Sequence, residues 1–319
     1  MQYLQCFTFP NKREEAKFLY PKDLSGEEVA AEAFRDFRAR THHGSVYPFG
    51  ILDQNRLGCV SFDRITIFCG GNGSGKTTAL NVIAEKLGLN RDSMFNSGRF
   101  FQDYLDLCKF DAELGTDRYV RNKLGKEVAL YLPNDSRIIV SDDVFAHSMK
   151  QRRINDRIHG DRADAEKDYD DLIMSGANLR SLEDYERWKA RNEALRNKSA
   201  FMQKQLGSEV LEQSNGETAM MYFLQRMENP GLYLLDEPEN SLSLENQMKL
   251  VEYIESSAHW FNCQFIIATH SPIFLSMKGA RIYDFDENPV KTKKWTDVDN
   301  VRTLYDFFKT HEVEFDKGV

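Results

Sequence analysis

The sequence predicts an α/β fold built on a mainly parallel sheet. Three observations carry that prediction. A β-branched apolar run, Arg64 to Cys69, empties into a glycine-rich loop and then a helical pattern. Two later apolar runs, Leu232–Leu235 and Gln264–Thr269, end in acidic residues and in a histidine. Between the first run and these two, from about Val144 to Leu206, the composition turns charged and helix-favouring, so the sheet carries an inserted helical subdomain, bounded at about 144–227. At 319 residues the chain suits one core with such an insertion, a single domain over 1–319.

Taken in order, Tyr3 to Phe9 suggests a strand, and Gly26 to Arg40 has helical spacing with acids at its start. The stretch from Gly44 to Gly50 is a loop whose Tyr47 and Phe49 suit either adenine stacking or, more simply, anchoring of the loop on the core. Phe100, Phe101, Tyr104, Leu105 and Leu107 form a helical core stripe. Glu127–Leu132 and Arg137–Val140 are strands, the second ending in Ser141-Asp142-Asp143, which face the site or start a helix. In the charged segment, arginines such as Arg152 and Arg187 alternate with acids such as Asp156 and Glu183, the pattern most simply of a solvated helical face and otherwise of a surface for a partner or nucleic acid. Arg281–Asp286 is a terminal strand whose D-x-D needs no metal, and Val301, Leu304, Tyr305 and Phe308 fit a closing amphipathic helix.

The loop after the first buried strand reads Gly70-Gly71-Asn72-Gly73-Ser74-Gly75-Lys76-Thr77-Thr78. It fits the phosphate-loop pattern with Gly70, Gly75, Lys76 and Thr77 in the fixed places. Glycines let successive N–H groups of Asn72, Gly73, Ser74 and Gly75 turn inward around a phosphate. Lys76 adds a point charge for the outer phosphates, Thr77 offers a hydroxyl to Mg2+, and Thr78 opens a helix whose positive dipole end faces the anion. These residues predict a nucleoside triphosphate site, with ATP and Mg2+ as cofactors.

Leu232-Tyr233-Leu234-Leu235-Asp236-Glu237-Pro238 is an apolar strand delivering two acids. After a phosphate loop, Asp236 is placed to hold magnesium and Glu237 to polarise the attacking water. Ahead of it, Ser214 and Gly216 open a helix and form an anion site of hydroxyl, amide and dipole. Behind it, Gln264–Thr269 delivers His270-Ser271-Pro272 to the same edge, where His270 can hydrogen-bond a γ-phosphate oxygen.

The order phosphate loop, Ser-x-Gly-Glu, Leu-Leu-Asp-Glu-Pro, Ala-Thr-His resembles the ATP-binding cassette (ABC) ATPases. The wording of Asp236–Ser243 and Ile267–Pro272 looks most like their soluble bacterial branch, akin to the recombination and repair ATPases RecF and SMC and to the overcoming-lysogenization-defect nucleases. The resemblance covers roughly Arg64 to Phe285. It implies a sheet of the ABC ATPase head type and ATP hydrolysis by a head-to-tail homodimer. In it, Lys76, Glu237 and His270 would be catalytic, Thr77 and Asp236 would hold the metal, and Ser214 and Gly216 would close over the partner's γ-phosphate. Asn240 to Ser243 would form the loop that communicates across the dimer. Three positions depart from the pattern: no glutamine stands at Ser141-Asp142-Asp143, Asn215 replaces a glycine, and Ser243 replaces an aspartate.

The net charge of −8 gives no whole-molecule attraction for nucleic acid, which remains open as a partner through a local patch. The five cysteines lack metal-site spacing and suit reduced thiols. No stretch approaches the roughly 20 apolar residues of a spanning helix, and no secretion signal opens the chain, so the expected place is the cytoplasm without a membrane. The leading expectation is an ATPase driving or controlling an effector partner in DNA maintenance or anti-phage defence. Its alternatives are a slow-turnover switch holding a toxic partner inactive, and the nucleotide-binding subunit of a transporter.

Overall fold

The computed structural model describes residues 2–19, 46–52, 57–95, 97–112, 118–121, 127–130, 132–153 and 215–316. The helix expected over Gly26–Arg40 and most of the inserted subdomain lie outside the described residues. The chain divides into two compact units, one of Met1–Val144 with Met220–Val319 and one of Phe145–Ala219.

The larger unit is organised by a six-stranded sheet. Its strands, in spatial order, are β11 (Lys291–Lys293), β10 (Arg281–Asp284), β3 (Ile65–Cys69), β9 (Gln264–Ala268), β8 (Leu232–Asp236) and β7 (Arg137–Val140). All neighbours pair in parallel except β10 with β11. The mainly parallel α/β sheet predicted from sequence is therefore the fold observed.

Every residue of β3, β8 and β9 is buried, as a parallel sheet covered on both faces requires. Phe68, Leu232, Leu234, Ile266 and Ala268 join one core cluster with Leu80, Ile83 and Leu87 of the helix Lys76–Leu87. The alternate residues Ile67, Tyr233, Leu235, Phe265 and Ile267 are equally buried and point to the other face. The helix Leu244–Trp260 packs on β9 and buries Leu250, Val251 and Ile254. Its start is capped by Ser243, whose hydroxyl accepts the Asn246 N–H at 3.3 Å.

A smaller antiparallel sheet orders β2 (Cys59–Ser61), β1 (Leu4–Thr8) and β4 (Lys109–Ala112). Gln264 ties it to the main sheet: its amide accepts from Leu4 N–H and donates to Leu4 O, both at 2.8 Å. A separate hairpin pairs β5 (Arg118–Arg121) with β6 (Glu127–Leu130).

One open reading is decided here, in favour of the helix start, and one expectation changes. Residues 141–153 are helical immediately after β7, and Asp143 accepts the Val140 N–H at 3.0 Å, so this strand end turns straight into a helix. The helix Asp299–Thr310 forms as expected but buries only Val301; Leu304, Tyr305 and Phe308 are exposed. Its apolar side does not close the core among the described residues.

Candidate functional site

Strand register brings the phosphate loop, Asp236, Glu237 and His270 to one edge. Phe68 pairs with Ala268, Ala268 with Asp236, Asp236 with Val140, and Cys69 with Asp284. The phosphate loop, Thr269-His270 and Glu237 thus leave the sheet at the same level, at carboxyl strand ends, where α/β sheets hold ligands.

The loop itself has the backbone its glycines permit. Gly73 and Gly75 take φ of 81° and 99°, a region side chains with a Cβ rarely enter. Asn72 and Gly73 occupy an exposed turn, and Ser74 N–H donates to Gly71 O at 3.3 Å. At Gly70 a Cβ would stand 3.0 Å from Ser74 Oγ and 3.1 Å from Asp286 Oδ1, so the close approach itself requires glycine. Lys76 is buried, and its Nζ donates to Gly70 O at 2.7 Å and Gly71 O at 2.9 Å.

Thr77 and Asp236 meet: Thr77 Oγ1 donates to Asp236 Oδ1 at 3.0 Å. Burial pushes the Asp236 carboxyl up to about 6, helped by the charges of Glu237 and Glu239 and opposed by the Thr77 hydrogen bond and Lys76. These two hard oxygen donors suit magnesium, which keeps several ligands from water and phosphate. Among the described residues no cluster of three or more His, Cys, Asp or Glu offers an all-protein cage instead.

Glu237 sits in the left-handed region, φ 47° and ψ 54°, held by its N–H to Ala268 O at 2.8 Å. Its Oε2 accepts from Asn240 Nδ2 at 2.9 Å. His270 is half exposed at the end of the adjacent strand. Gly216 lies in the first turn of the helix Asn215–Arg226, while Ser214 is outside the described residues.

Of the two aromatics upstream, Phe49 is core, edge-on to Tyr104 at 5.0 Å. Tyr47 packs on Phe101 at 5.9 Å, and its phenol is pushed up by burial against the hydrogen bond it makes with the Thr78 side chain. Thr78 is buried, in contrast to the exposed Thr77.

Sequence reasoning missed several neighbours of the site. Asp286 accepts Gly71 N–H through both carboxylate oxygens at 2.9 Å, bracing the loop from outside. The D-x-D pattern was visible, but only the β10–β3 pairing aims it at the loop; its other acid, Asp284, is ion-paired with Lys293 at 2.8 Å. Arg91 donates to Asn81 Oδ1 at 2.6 Å and Glu85 Oε1 at 3.1 Å. Asp92 accepts from the Tyr222 hydroxyl and pairs with Arg226, both at 2.7 Å, fastening the end of the helix Asn215–Arg226. Glu239, buried, accepts from Thr269, His270 and Ser271. Its signal was a third acid beside Asp236 and Glu237.

Residues 58–240 match the family model described as ABC transporter, and residues 216–275 match the AAA ATPase domain. No curated protein sequence matches the chain. Solved structures that resemble it include an SMC head domain from Pyrococcus furiosus, with an extended coiled coil and bound to the C-terminal domain of ScpA. That match is 12% identical and covers 80% of this chain and 95% of that one, with a TM-score of 0.39. The SMC head domain from Thermotoga maritima is 13% identical over 74% of this chain and 92% of its own, with a TM-score of 0.36. An ATP-binding cassette in a dimeric post-hydrolysis state with ADP and phosphate is 15% identical over 74% and 88%, with a TM-score of 0.34.

Proposed function

Because this chain belongs to the ABC transporter family of ATP-binding cassettes, we propose that it is an ATPase whose ATP-bound form pairs head to tail and drives or controls a protein effector. ATP hydrolysis is the activity of the family; the pairing, the effector and a role in DNA maintenance or anti-phage defence are our reading. The observation that carries it is the meeting of Thr77 and Asp236 at 3.0 Å, with Glu237 and His270 on the same edge.

In this reading Lys76 releases Gly70 O and Gly71 O to neutralise the outer phosphates of ATP. The N–H groups from Asn72 to Thr78 cradle them. Thr77 and Asp236 would hold Mg2+, which when bound offsets charge on the β- and γ-phosphates. Glu237 takes a proton from the attacking water, and His270 hydrogen-bonds the γ-phosphate. Ser214 and Gly216 of a second copy complete the site, so ATP binding stabilises the pair. An effector surface is supported by the helices Asp299–Thr310 and Glu312–Asp316, where Tyr305, Phe307, Phe308 and Phe315 are exposed. Asn300 on the first of these donates to His270 O at 2.9 Å, linking that surface to the site.

A slow-turnover switch that holds a toxic partner inactive is favoured by one observation, the Asn240 amide on Glu237 Oε2, which occupies an oxygen of the base. Light scattering of Glu237→Gln with and without Mg-ATP, beside ATPase assays of the wild type with and without DNA, tests the reading. Doubling of mass with ATP supports pairing. Unchanged mass removes it, and turnover that DNA accelerates brings nucleic acid back as a partner. Lys76→Ala is expected to abolish nucleotide binding.

A further inference from the structure

Glu239 takes no part in the steps above, yet its side chain is among the most buried charged groups at the sheet edge, in the turn Pro238–Ser241. A single oxygen, Oε1, accepts the Thr269 hydroxyl at 2.6 Å, His270 N–H at 2.9 Å and Ser271 N–H at 3.2 Å. His270 Nδ1 lies 3.3 Å from the same oxygen. Oε2 is buried and makes no hydrogen bond among the described residues. Burying a carboxylate is expensive unless its donors repay it, and here every donor comes from the turn that carries His270.

The connection continues in the other direction. Ser271 Oγ donates to Gln247 Oε1 at 2.8 Å, and Gln247 Nε2 donates to Leu242 O at 3.2 Å. Leu242 N–H in turn donates to Glu239 O at 3.1 Å. The loop Asn240–Ser243 is therefore tied to the His270 turn on both sides, through Glu239 and through Leu242 and Gln247. A displacement of this loop reaches His270 backbone directly, without passing through Asp236 or the phosphate loop.

We infer that Glu239 is a positioning residue, which holds the Thr269–Ser271 turn so that His270 faces the γ-phosphate and makes that turn follow the loop Asn240–Ser243. The inference rests on the ATPase reading given above. Glu239 touches no reacting atom in it. Its effect falls on turnover through His270, not on capture of ATP.

The test is steady-state ATPase of Glu239→Ala, Glu239→Gln, His270→Ala and the doubles, with binding of a fluorescent ATP analogue measured alongside. Glu239→Ala is expected to lower kcat by about 10-fold or more while KM and analogue binding stay within about twofold. Glu239→Gln keeps an acceptor oxygen for the three donors and recovers most of the loss. In the Glu239→Ala background, His270→Ala costs no more than about a further twofold, because both changes remove one function. Should Glu239→Ala not fold, the cycle is run with Glu239→Met, which keeps the length of the side chain and removes the acceptor oxygens. Unchanged kcat in Glu239→Ala, loss of analogue binding in a folded variant, or fully additive losses with His270→Ala overturn the inference alone. A wild type that neither binds nor hydrolyses ATP overturns the functional reading and this inference with it.

Discussion

Thr77 Oγ1 donates to Asp236 Oδ1 at 3.0 Å although 159 residues separate the two in the chain. Thr77 lies in the helix that follows β3 and Asp236 ends β8, and these strands are not neighbours, since β9 lies between them. Thr77→Ala removes one of the two oxygens offered to magnesium. It is expected to raise the Mg2+ concentration needed for half-maximal turnover, by roughly tenfold for the loss of about 1.4 kcal/mol. A Mg2+ titration of ATPase rate checks this, and an unchanged midpoint would take Thr77 out of the metal site.

Asp236 exacts a cost from the folded chain. Its carboxyl is pushed to about 6 from 3.8 by burial, so between about pH 4 and 6 the folded state keeps a proton that the unfolded state releases. Stability from this group therefore falls as pH rises through that window and is level above it. In the absence of nucleotide and metal, Asp236→Asn is expected to match the wild type near pH 4 and exceed it at pH 8 by on the order of 2–3 kcal/mol. Thermal melts at the two pH values measure the difference, and an Asn variant less stable at pH 8 contradicts it.

Glu237 combines a strained backbone with the proposed base. Glu237→Gln is expected to keep nucleotide binding and slow hydrolysis by about 10²–10⁴. Glu237→Gly loses the carboxylate as well as the strain at φ 47°, so it should be inactive yet more stable by about 1 kcal/mol, less the lost Asn240 contact. Denaturant melts beside turnover separate the two effects; a Gly variant that is less stable would show that the Asn240 contact outweighs the strain.

Asp286 braces Gly71 through two hydrogen bonds to one N–H. Asp286→Ala is expected to weaken ATP binding by about 3–10-fold, the net worth of one ordinary hydrogen bond, since exposure to water offsets the gain from the carboxylate charge. Asp286→Asn, which keeps an acceptor, should fall between it and the wild type. Fluorescence titration decides; tighter binding in the Ala variant would mean that repulsion between Asp286 and the phosphates outweighs the bracing.

Much of the fold was legible. The apolar runs that became β3, β7, β8 and β9 announced themselves because a parallel strand buried on both faces has no polar alternation to obscure it. The phosphate loop was legible because its glycines answer a backbone demand that acts within a few residues. The exposure of Leu304, Tyr305 and Phe308 was not, since periodicity shows that a helix has an apolar side and says nothing of what covers it.

By itself the sequence determined the α/β class, the strand ends that carry Gly70–Thr78, Asp236-Glu237 and His270, and the ATPase family those motifs imply. Only the tertiary structure decided that Asp286 braces the loop, that Asp92 fastens Tyr222 and Arg226, and that Glu239 gathers Thr269, His270 and Ser271. Strand and loop signals are local, written in spacing and side-chain type. The partner of a carboxylate depends on which strands lie side by side and in what register, and that is settled when the whole sheet buries its two faces.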